Sequence, residues 1–367
     1  MKVAIVHDYL NQYGGAERVL EALLTIFPDA HIYTLIYSPE RTYRRFHANV
    51  YRTSILDFPL ARRNHRAFIP LMPLATRSLV VPNGYDLIIS DSAGYAKGVP
   101  CPSGTFHLSY CYTPLRYAWE IDNYFANPVF KNLFGPVFRY LRAWDYAAAQ
   151  RPDAFLAVSG FIAGKIAKYY DRDSAVVYPP VDYQRFHFDP AQTPPVAKPG
   201  PYLAAGRLMH YKRFDLVVDA FIELRLPLIV VGIGPEGDAL RRRAAGFENI
   251  RFLDTVEDAE LRELYGRAKA FIFPQVEDFG LVAAEAQACG CPVIAYRQGG
   301  SLEIVQDGVT GLFFDSQSPA SLIQAVRRLD SMRIDRRKIA GLSRRFSMER
   351  FRQGVLSHVP QRILACA

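Results

Sequence analysis

Residues 271 to 285 read FIFPQVEDFGLVAAE, which combines a strand, a loop and the start of a helix. The apolar run at 271–273 is typical of a short buried strand, and Pro274 opens the loop that follows it. A helix is expected to start near Leu281. Because a strand joined to a helix by a short loop is the repeating unit of a parallel sheet with crossover helices, this stretch predicts an α/β fold.

The alternation of strand-like and helix-like segments extends over the whole chain. In the first half, strands are predicted at 2–6, 86–90, 105–111, 154–158 and 175–178, and a helix at 16–27. In the second half, strands are predicted at 202–205, 227–231, 250–253, 270–273 and 292–295, and helices at 214–224, 259–268 and 281–289. The pattern predicts two Rossmann-like, doubly wound domains that bind ligands at the carboxyl ends of their strands, in a cleft between the domains.

A proline-rich linker separates the two predicted domains. Residues 194–201 read PPVAKPGP, a composition that stops both helices and strands. The predicted domains are therefore 1–195 and 196–342. A last segment, 343–367, contains an amphipathic basic helix at 343–359 and is expected to pack back on the first domain.

Composition predicts a soluble protein of this size and class. At 367 residues the chain exceeds what one hydrophobic core usually serves, and half of its residues are apolar. Its longest apolar runs, such as 226–233, fall far short of the roughly 20 residues that span a bilayer. The apolar run at 3–6 is too short for a signal peptide. We therefore expect a cytoplasmic protein.

Positive charge is concentrated in one segment. The chain carries a net charge of +8, and residues 41–80 contain eight arginines against a single acid, Asp57. No recognisable nucleic-acid-binding module accompanies this segment, so nucleic acid is not expected as a partner. Apolar residues are interleaved with the arginines, namely Phe58, Leu60, Phe68, Ile69, Leu71, Met72 and Leu74. This mixture favours an anionic membrane surface, with a solvated helical face as the alternative.

A dinucleotide-like motif offers one interpretation of the second half. Residues 232–237 read GIGPEG, a G-x-G-x-x-G that follows a predicted strand, and Asp254 lies 22 residues beyond Gly232. An NAD(P)-dependent oxidoreductase is therefore an alternative. Against it, Pro235 removes one of the backbone donors that would face a pyrophosphate, and the motif opens the second unit of the domain.

A different set of residues predicts a diphosphate site. Arg207 and Lys212 follow the strand at 202–205, where a guanidinium fork and an ammonium would hold a diphosphate. The amides of Gly280, Leu281 and Val282 lie at a predicted helix N-terminus, which favours a phosphate. Carboxylates stand on either side of this turn, at Glu277 and Glu285, and suit sugar and ribose hydroxyls.

With these motifs in order, the second half resembles family 4 of the glycosyltransferases, retaining enzymes of the GT-B fold. The mark of that family is E-x7-E, here Glu277 to Glu285. Its companions follow one another along the chain: 206–208 with Lys212, 232–235, 273–274, 277–281, 285–286, 290–295, 299–300, Glu303, 307–308 and 310–312. The G-x-G-P loop is a regular feature of the family.

The first half is similar to a narrower group, the GDP-mannose-dependent mannosyltransferases that build bacterial O-antigen and exopolysaccharide on lipid carriers. The similar stretches are 7–9, 14–19, 110–119 and 178–182. Many of these relatives have His at the position of Tyr112, where it is often assigned a contact to the transferred sugar. Tyr112 and Arg116 are accordingly predicted to contact the acceptor or the sugar.

The resemblance assigns further roles. Arg207 and Lys212 would hold the diphosphate, and together with Glu277, which would bind the donor sugar, they are the predicted catalytic residues. The donor-binding residues would be Gly14, Gly15, Gly206, Gly280, Leu281, Val282 and Glu285. Neither a catalytic base, nor a cofactor, nor a metal is implied.

The same resemblance implies the partners. The donor would be GDP-mannose, with a UDP-hexose as the alternative, and the acceptor a lipid-linked saccharide. The protein would then work peripherally on the inner face of the cell membrane.

Overall fold

The computed structural model describes residues 1–121, 133–190 and 200–365, and every strand pairing within these ranges is parallel. The chain divides into two units. The first contains Met1–Tyr178 and the described residues from Phe351 onward, and the second is Pro179–Arg350. From the sequence, the boundary between the domains was predicted after residue 195 and the return of the chain to the first domain at residue 343. Residues 194–199 of the predicted linker lie outside the described residues.

The first unit is built on a seven-stranded sheet in the order β3-β2-β1-β4-β5-β6-β7. Its strands are β1 Val3–Leu10, β2 His31–Tyr37, β3 Val50–Thr53, β4 Leu87–Ser92, β5 Phe106–Cys111, β6 Ala154–Ala157 and β7 Ala175–Val176. Its α-helices are Gly15–Ile26 (α1), Pro59–Arg63, Met72–Ser78, Arg116–Trp119, Gly135–Ala149, Gly160–Tyr170 and Gln361–Leu364. Short 3-10 helices occupy Pro39–Arg41, Arg44–Ala48, His65–Leu71 and Ala96–Gly98.

The second unit is built on a six-stranded sheet in the order β10-β9-β8-β11-β12-β13. Its strands are β8 Tyr202–Ala205, β9 Leu228–Val231, β10 Ile250–Leu253, β11 Phe271–Phe273, β12 Val293–Tyr296 and β13 Gly311–Phe314. Its α-helices are Phe214–Leu224, Gly237–Arg243, Asp258–Arg267, Leu281–Ala288, Ser301–Ile304, Pro319–Asp330 and Arg336–Ser343. Residues His210–Lys212 and Arg344–Phe346 form 3-10 helices, and the helix Met348–Leu356 begins in the second unit and ends in the first.

Burial on both faces explains why the central strands are continuous apolar runs. All of β4 and β8 is buried, and so is β1 except for the half-buried Tyr9. Helices cover both faces of a parallel sheet, so its inner strands have no solvent face and need no polar alternation. This is why the strands could be identified from short apolar runs.

Strand order creates one switch point in each sheet. In the first unit β1 is flanked by β2 and β4, and in the second unit β8 is flanked by β9 and β11. Connections leave such a pair of strands in opposite directions, which opens a crevice at their carboxyl ends where doubly wound proteins bind ligands. The predicted α/β fold of two Rossmann-like domains is confirmed.

The predicted helix at 343–359 is wrong as a single element. The chain forms separate helices at Arg336–Ser343 and Met348–Leu356, with a 3-10 turn between them. Ser347 leaves the helix because its backbone is extended and pairs with Val181, whose amide donates to the Phe346 carbonyl oxygen at 2.8 Å. The strands β2, β3 and β13 were not predicted. No helix in the described ranges has the length and apolar character to cross a bilayer.

Candidate active site

Two loops meet at the switch point of the second unit. One follows β8 and contains Lys212, and the other follows β11 and contains Glu277. The Lys212 Nζ lies 3.1 Å from the Glu277 Oε1, and both side chains are largely shielded, at 16% and 21% exposure. The fold therefore brings together two predicted site residues that stand far apart in the sequence. Arg207 lies exposed at the start of the first of these loops.

The residues of the dinucleotide-like motif contact other residues of their own domain. A Cβ built on Gly232 would lie 1.9 Å from the Gly206 carbonyl oxygen, so only glycine allows these two strand ends to approach. The amide of Glu236 donates to the Leu208 carbonyl oxygen at 3.1 Å, and the amide of Gly237 to that of Gly234 at 3.0 Å. These two amides are therefore engaged within the domain, which argues against a pyrophosphate at this motif and against the oxidoreductase alternative.

The loop after β11 leads directly into a helix, as predicted. Gly280 is its N-cap and has a φ of +105°, in the left-handed region that favours glycine. The helix begins at Leu281, and its first internal hydrogen bond runs from the Ala283 amide to the Gly280 carbonyl oxygen at 2.9 Å. The amides of Leu281 and Val282 precede that bond and lie at the positive end of the helix dipole.

The two predicted carboxylates differ in their surroundings. Glu277 lies on the loop, and its carbonyl oxygen accepts the Gly300 amide at 2.8 Å, which ties the loop to the turn after β12. Glu285 lies in the second turn of the helix and is only 2% exposed. Burying a carboxylate costs free energy unless hydrogen-bond donors compensate it. The burial of Glu285 therefore indicates a structural or functional partner.

Three ionisable side chains meet at the switch point of the first unit. His7 of β1 and Asp91 of β4 are register partners, and the His7 Nδ1 lies 2.7 Å from the Asp91 Oδ2. The His7 Nε2 lies 3.7 Å from the Glu17 Oε1 of α1. All three side chains are at least 97% buried. We call His7, Asp91 and Glu17 the buried triad.

Charge pairing within the triad sets its protonation. Burial lowers the pKa of His7, but the hydrogen bond to Asp91 and the proximity of Glu17 outweigh it and raise that pKa to about 10. Burial raises the pKa of Asp91, while His7 opposes the change. His7 is therefore an imidazolium at neutral pH, placed between the acidic side chains of Asp91 and Glu17.

The triad adjoins the Gly14–Gly15 turn that begins α1. The Glu17 Oε2 accepts the Gly14 amide at 2.7 Å. Tyr112, which directly follows β5, donates its hydroxyl to the Ala16 carbonyl oxygen at 3.1 Å, and burial raises its pKa. Tyr112 thus contacts the start of α1 and also interacts with Asp91 of the triad. Arg116 starts the short helix Arg116–Trp119 and is half-buried.

The buried triad was not predicted from the sequence. His7 and Glu17 lie in the similar stretches 7–9 and 14–19, but neither they nor Asp91 were assigned a role. A Glu at the third helical position after a Gly-Gly turn is a signal that was present, because such a Glu commonly accepts an N-cap amide. Among the described residues, no group of three or more His, Cys, Asp and Glu side chains is arranged to hold a metal ion.

Two protein-family models match the chain, one for each unit. Residues 13–185 match Glycosyltransferase Family 4, and residues 187–345 match Glycosyl transferases group 1. Each model covers slightly less than half of the chain, and both are models of glycosyltransferases. The chain is thus similar to glycosyltransferases in both units and has the GT-B fold, and the resemblance that the sequence motifs carried is confirmed at this level.

Curated relatives of this glycosyltransferase match part of its length. The D-inositol 3-phosphate glycosyltransferase of Frankia alni is 37% identical over 193 residues, which is 45% of this chain and 47% of the relative. The chain thus spans about half the length of that relative.

Solved structures match the fold along the whole glycosyltransferase chain. Sucrose-phosphate synthase from Thermosynechococcus elongatus superposes with a TM-score of 0.76 at 16% identity, covering 100% of both chains. Anabaena HepE in complex with UDP superposes with a TM-score of 0.72 at 18% identity, covering 97% of this chain and 99% of the other.

Proposed function

We propose that this glycosyltransferase moves a hexose from a nucleoside-diphosphate donor to a saccharide acceptor, with retention of the anomeric configuration. The observation that carries the proposal is the Lys212–Glu277 pair beside the helix start at Gly280–Val282. A cation and a helix N-terminus at one switch point suit the diphosphate of a sugar nucleotide. The adjacent carboxylate suits the sugar hydroxyls.

Catalysis in this proposal comes from stabilising the leaving group. Arg207, Lys212 and the amides of Gly280, Leu281 and Val282 would oppose the negative charge that develops on the departing nucleoside diphosphate. Glu285 would bind the ribose, and Gly206 would let the diphosphate approach the backbone. No enzymic base or nucleophile is assigned, in keeping with attack and departure on the same face of the sugar.

The first unit would serve the reacting end of the donor and the acceptor. Gly14 and Gly15 would contribute backbone amides to the donor. Tyr112 was predicted to touch the sugar, but its hydrogen bond to Ala16 supports a different role, in holding the Gly14–Gly15 turn. Arg116 stays a proposed contact to the acceptor or the sugar.

GDP-mannose is the proposed donor, on the resemblance of the first unit, and a UDP-hexose is the second candidate. The UDP candidate is favoured by the solved HepE complex, which contains UDP. Thermal unfolding in the presence of GDP-mannose, UDP-glucose, UDP-galactose or NADH separates these possibilities, because a ligand at about 100 times its Kd stabilises the native state by about 2.7 kcal/mol. Stabilisation by NADH alone would refute the glycosyltransferase proposal.

The proposed acceptor is a lipid-linked saccharide at an anionic membrane, on the inner face of the cell membrane. The support is a basic apolar surface, which we define by the exposed arginines Arg41, Arg44, Arg45, Arg52, Arg63, Arg66 and Arg77 together with the exposed apolar residues Tyr51, Ile55, Leu60, Leu71, Leu74 and Val80. Guanidinium groups attract anionic headgroups, and exposed aliphatic side chains gain from insertion between them.

The composition of this surface differs from the sequence prediction. Of the seven interleaved apolar residues, Leu60, Leu71 and Leu74 are exposed. Met72 is in the core, and Phe58, Phe68 and Ile69 pack against it. The side chain of Arg62 is also not part of the surface, because it makes two hydrogen bonds to Asp57, at 2.7 and 2.9 Å.

A further inference from the structure

The Glu17 side chain caps the Gly14–Gly15 turn. Glu17 has two carboxylate oxygens with different partners: Oε2 accepts the Gly14 amide at 2.7 Å, and Oε1 faces the His7 Nε2 at 3.7 Å. The carboxylate is 2% exposed, so it cannot turn toward solvent without opening the core. The position of the turn therefore depends on what fixes Glu17.

The two glycines have different local surroundings. A Cβ built on Gly14 would lie 3.3 Å from the Glu17 Oε2, so a side chain there would press on the capping carboxylate. A Cβ built on Gly15 would meet no heavy atom within 4 Å among the described residues. The Cβ side of Gly15 is thus open, and the amides of Gly15 and Ala16 precede the hydrogen bond from the Arg18 amide to the Gly14 carbonyl oxygen at 3.0 Å, as the first amides of a helix do.

His7 is the group that fixes Glu17. Its ring is anchored on the opposite side by Asp91 at 2.7 Å, in a strand that pairs with its own. The ionisable groups of the described residues that interact with the triad are Asp8 on β1, Tyr110 on β5 and Tyr112 after β5. Asp8 is committed elsewhere, because it accepts the amides of Ala93, Tyr95 and Ala96 at 2.7, 3.0 and 2.6 Å.

We propose that His7 is a positioning residue for sugar transfer: as an imidazolium bound between Asp91 and Glu17, it holds Glu17 on the Gly14 amide and so fixes the turn whose amides serve the donor. Without the imidazolium, two buried carboxylates repel each other, and Glu17 loses the attraction that keeps it in place. The expected fall in kcat rests on the proposed function, whereas the expected effect on the turn rests on the contacts alone.

His7→Gln is the principal test, because glutamine keeps a hydrogen-bond donor for Asp91 but carries no charge. We expect kcat to fall about tenfold or more while the affinity for the nucleoside diphosphate stays within about twofold, since Lys212 and Glu285 would bind the nucleotide. A role confined to stability would lower the melting temperature but leave kcat per folded molecule unchanged.

His107 provides the matched control. It is also fully buried in the same sheet, on β5, where its Nε2 lies 3.0 Å from the Ser90 Oγ. No hydrogen bond or ion pair described for it reaches the Gly14–Gly15 turn or the triad. We expect His107→Gln to destabilise the protein and to leave kcat per folded molecule unchanged. An equal loss of kcat in both variants would overturn the inference.

Glu17→Gln is the second variant, in case His7→Gln does not fold. In glutamine an NH2 donor replaces one of the two oxygens, so the side chain no longer places one oxygen on the Gly14 amide and another toward His7, and kcat should again fall severalfold. Wild-type kcat in a folded His7→Gln or Glu17→Gln protein would overturn the inference.

Hydrogen exchange measures the turn without any substrate. Peptides that cover residues 11–20 should exchange faster in His7→Gln than in the parent, and at the parent rate in His107→Gln. If the parent transfers no sugar from any nucleotide donor, the proposed function fails but this measurement still decides the role of His7. Unchanged exchange in His7→Gln would reject it.

Discussion

At the scale of single residues, Glu277 holds the Lys212 ammonium group in position for a phosphate. A lysine ammonium is a compact charge on a flexible stem, and much of its rotamer freedom must be lost when it binds an anion. Here the carboxylate 3.1 Å away restricts the ammonium before any ligand arrives. The donor would therefore meet a site whose charge is already in position, which lowers the entropic cost of binding.

Lys212→Ala and Glu285→Ala should each lower the rate of sugar transfer by about tenfold or more, or about 1.4 kcal/mol, without unfolding the protein. Chromatographic measurement of product formation gives the rate, and circular dichroism checks the fold. Lys269→Ala is the matched control, because Lys269 pairs with Asp330 on a different part of the second unit and should be dispensable. Turnover close to that of the parent in either folded site variant would contradict the assigned site.

The two buried histidines of the first unit should give opposite pH dependences of stability. His7 has a pKa raised to about 10, so its contribution is fully present below its unfolded pKa of 6.5 and is lost as the pH rises toward 10. Burial, with Arg151 adding to it, lowers the pKa of His107 to about 3, so stability is lost as the pH falls from 6.5 toward 3. Within its pH range, each histidine changes the free energy of unfolding by about 1.4 kcal/mol per pH unit.

Urea unfolding followed by tryptophan fluorescence measures this directly, because the two tryptophans, Trp119 and Trp144, both lie in the first unit. His7→Gln should flatten the alkaline decline in the free energy of unfolding, and His107→Gln the acid decline. Identical alkaline slopes in the parent and in His7→Gln would show that His7 is not an imidazolium in the native state.

At the scale of elements, the short helices between β3 and β4 expose apolar side chains that longer helices would bury. The helices at 59–63, 65–71 and 72–78 are each at most seven residues long, so none has a broad apolar face that packs fully on the sheet. Leu60, Leu71 and Leu74 remain exposed at 63%, 47% and 55%. An amphipathic surface built in this way resembles an interfacial segment rather than a core helix.

The basic apolar surface should bind liposomes that contain phosphatidylglycerol and not neutral liposomes. Each basic residue near an anionic bilayer contributes about 1 kcal/mol of attraction, which salt screens. Changing Arg63, Arg66 and Arg77 together to Ser should weaken cosedimentation and leave donor binding intact. Arg62 is left unchanged, because it is bound to Asp57.

A control with the same loss of charge separates local from global electrostatics. Arg327, Arg328 and Arg333 are exposed arginines of the second unit, and their replacement by Ser removes three charges as well. This variant should sediment with anionic liposomes like the parent. If both triple variants lose binding equally, the attraction is a property of the net charge and the defined surface has no special role.

Elements could be predicted where burial gave a simple pattern. The central strands of both sheets and the helices at 214–224 and 281–288 matched short apolar runs between loops. The strands β2 and β3 were missed because β2, HIYTLIY, is rich in tyrosine and has no clear boundary, and β3, VYRT, is a polar edge strand. The last helix was overextended because the bridge between Val181 and Ser347 is a long-range contact that periodicity does not reveal.

At the scale of the whole molecule, the reaction should conserve the configuration of the donor carbon. The family 4 resemblance implies attack and departure on the same sugar face, so a product formed from an α-linked donor should be α-linked. The coupling constants of the anomeric proton and carbon in the purified product measure this by NMR. A β-linked mannose would overturn the retaining mechanism.

The candidate sites differ in how much the sequence revealed of them. Glu277 and Glu285 share one loop and helix, and Lys212 belongs to a motif of its own, so a resemblance could connect them. The buried triad is distributed over β1, α1 and β4, and its members are joined by the register of His7 with Asp91. The register of two strands depends on the packing of the whole unit. It therefore cannot be predicted from a local pattern of residues.

The return of the chain to the first unit has a consequence for synthesis. Phe351 and Val355 are each 1% exposed in that unit, and the ring of Phe351 packs against Tyr110 of β5 at 5.6 Å. A ribosome makes residues 179–350 between these partners, so the first unit emerges early but is completed late. Part of the apolar surface of Tyr110 and Val177 therefore stays uncovered while the second unit is being made. The first unit should therefore be completed only when Phe351 and Val355 dock, and chaperone binding to nascent chains should fall once these two residues have left the ribosome.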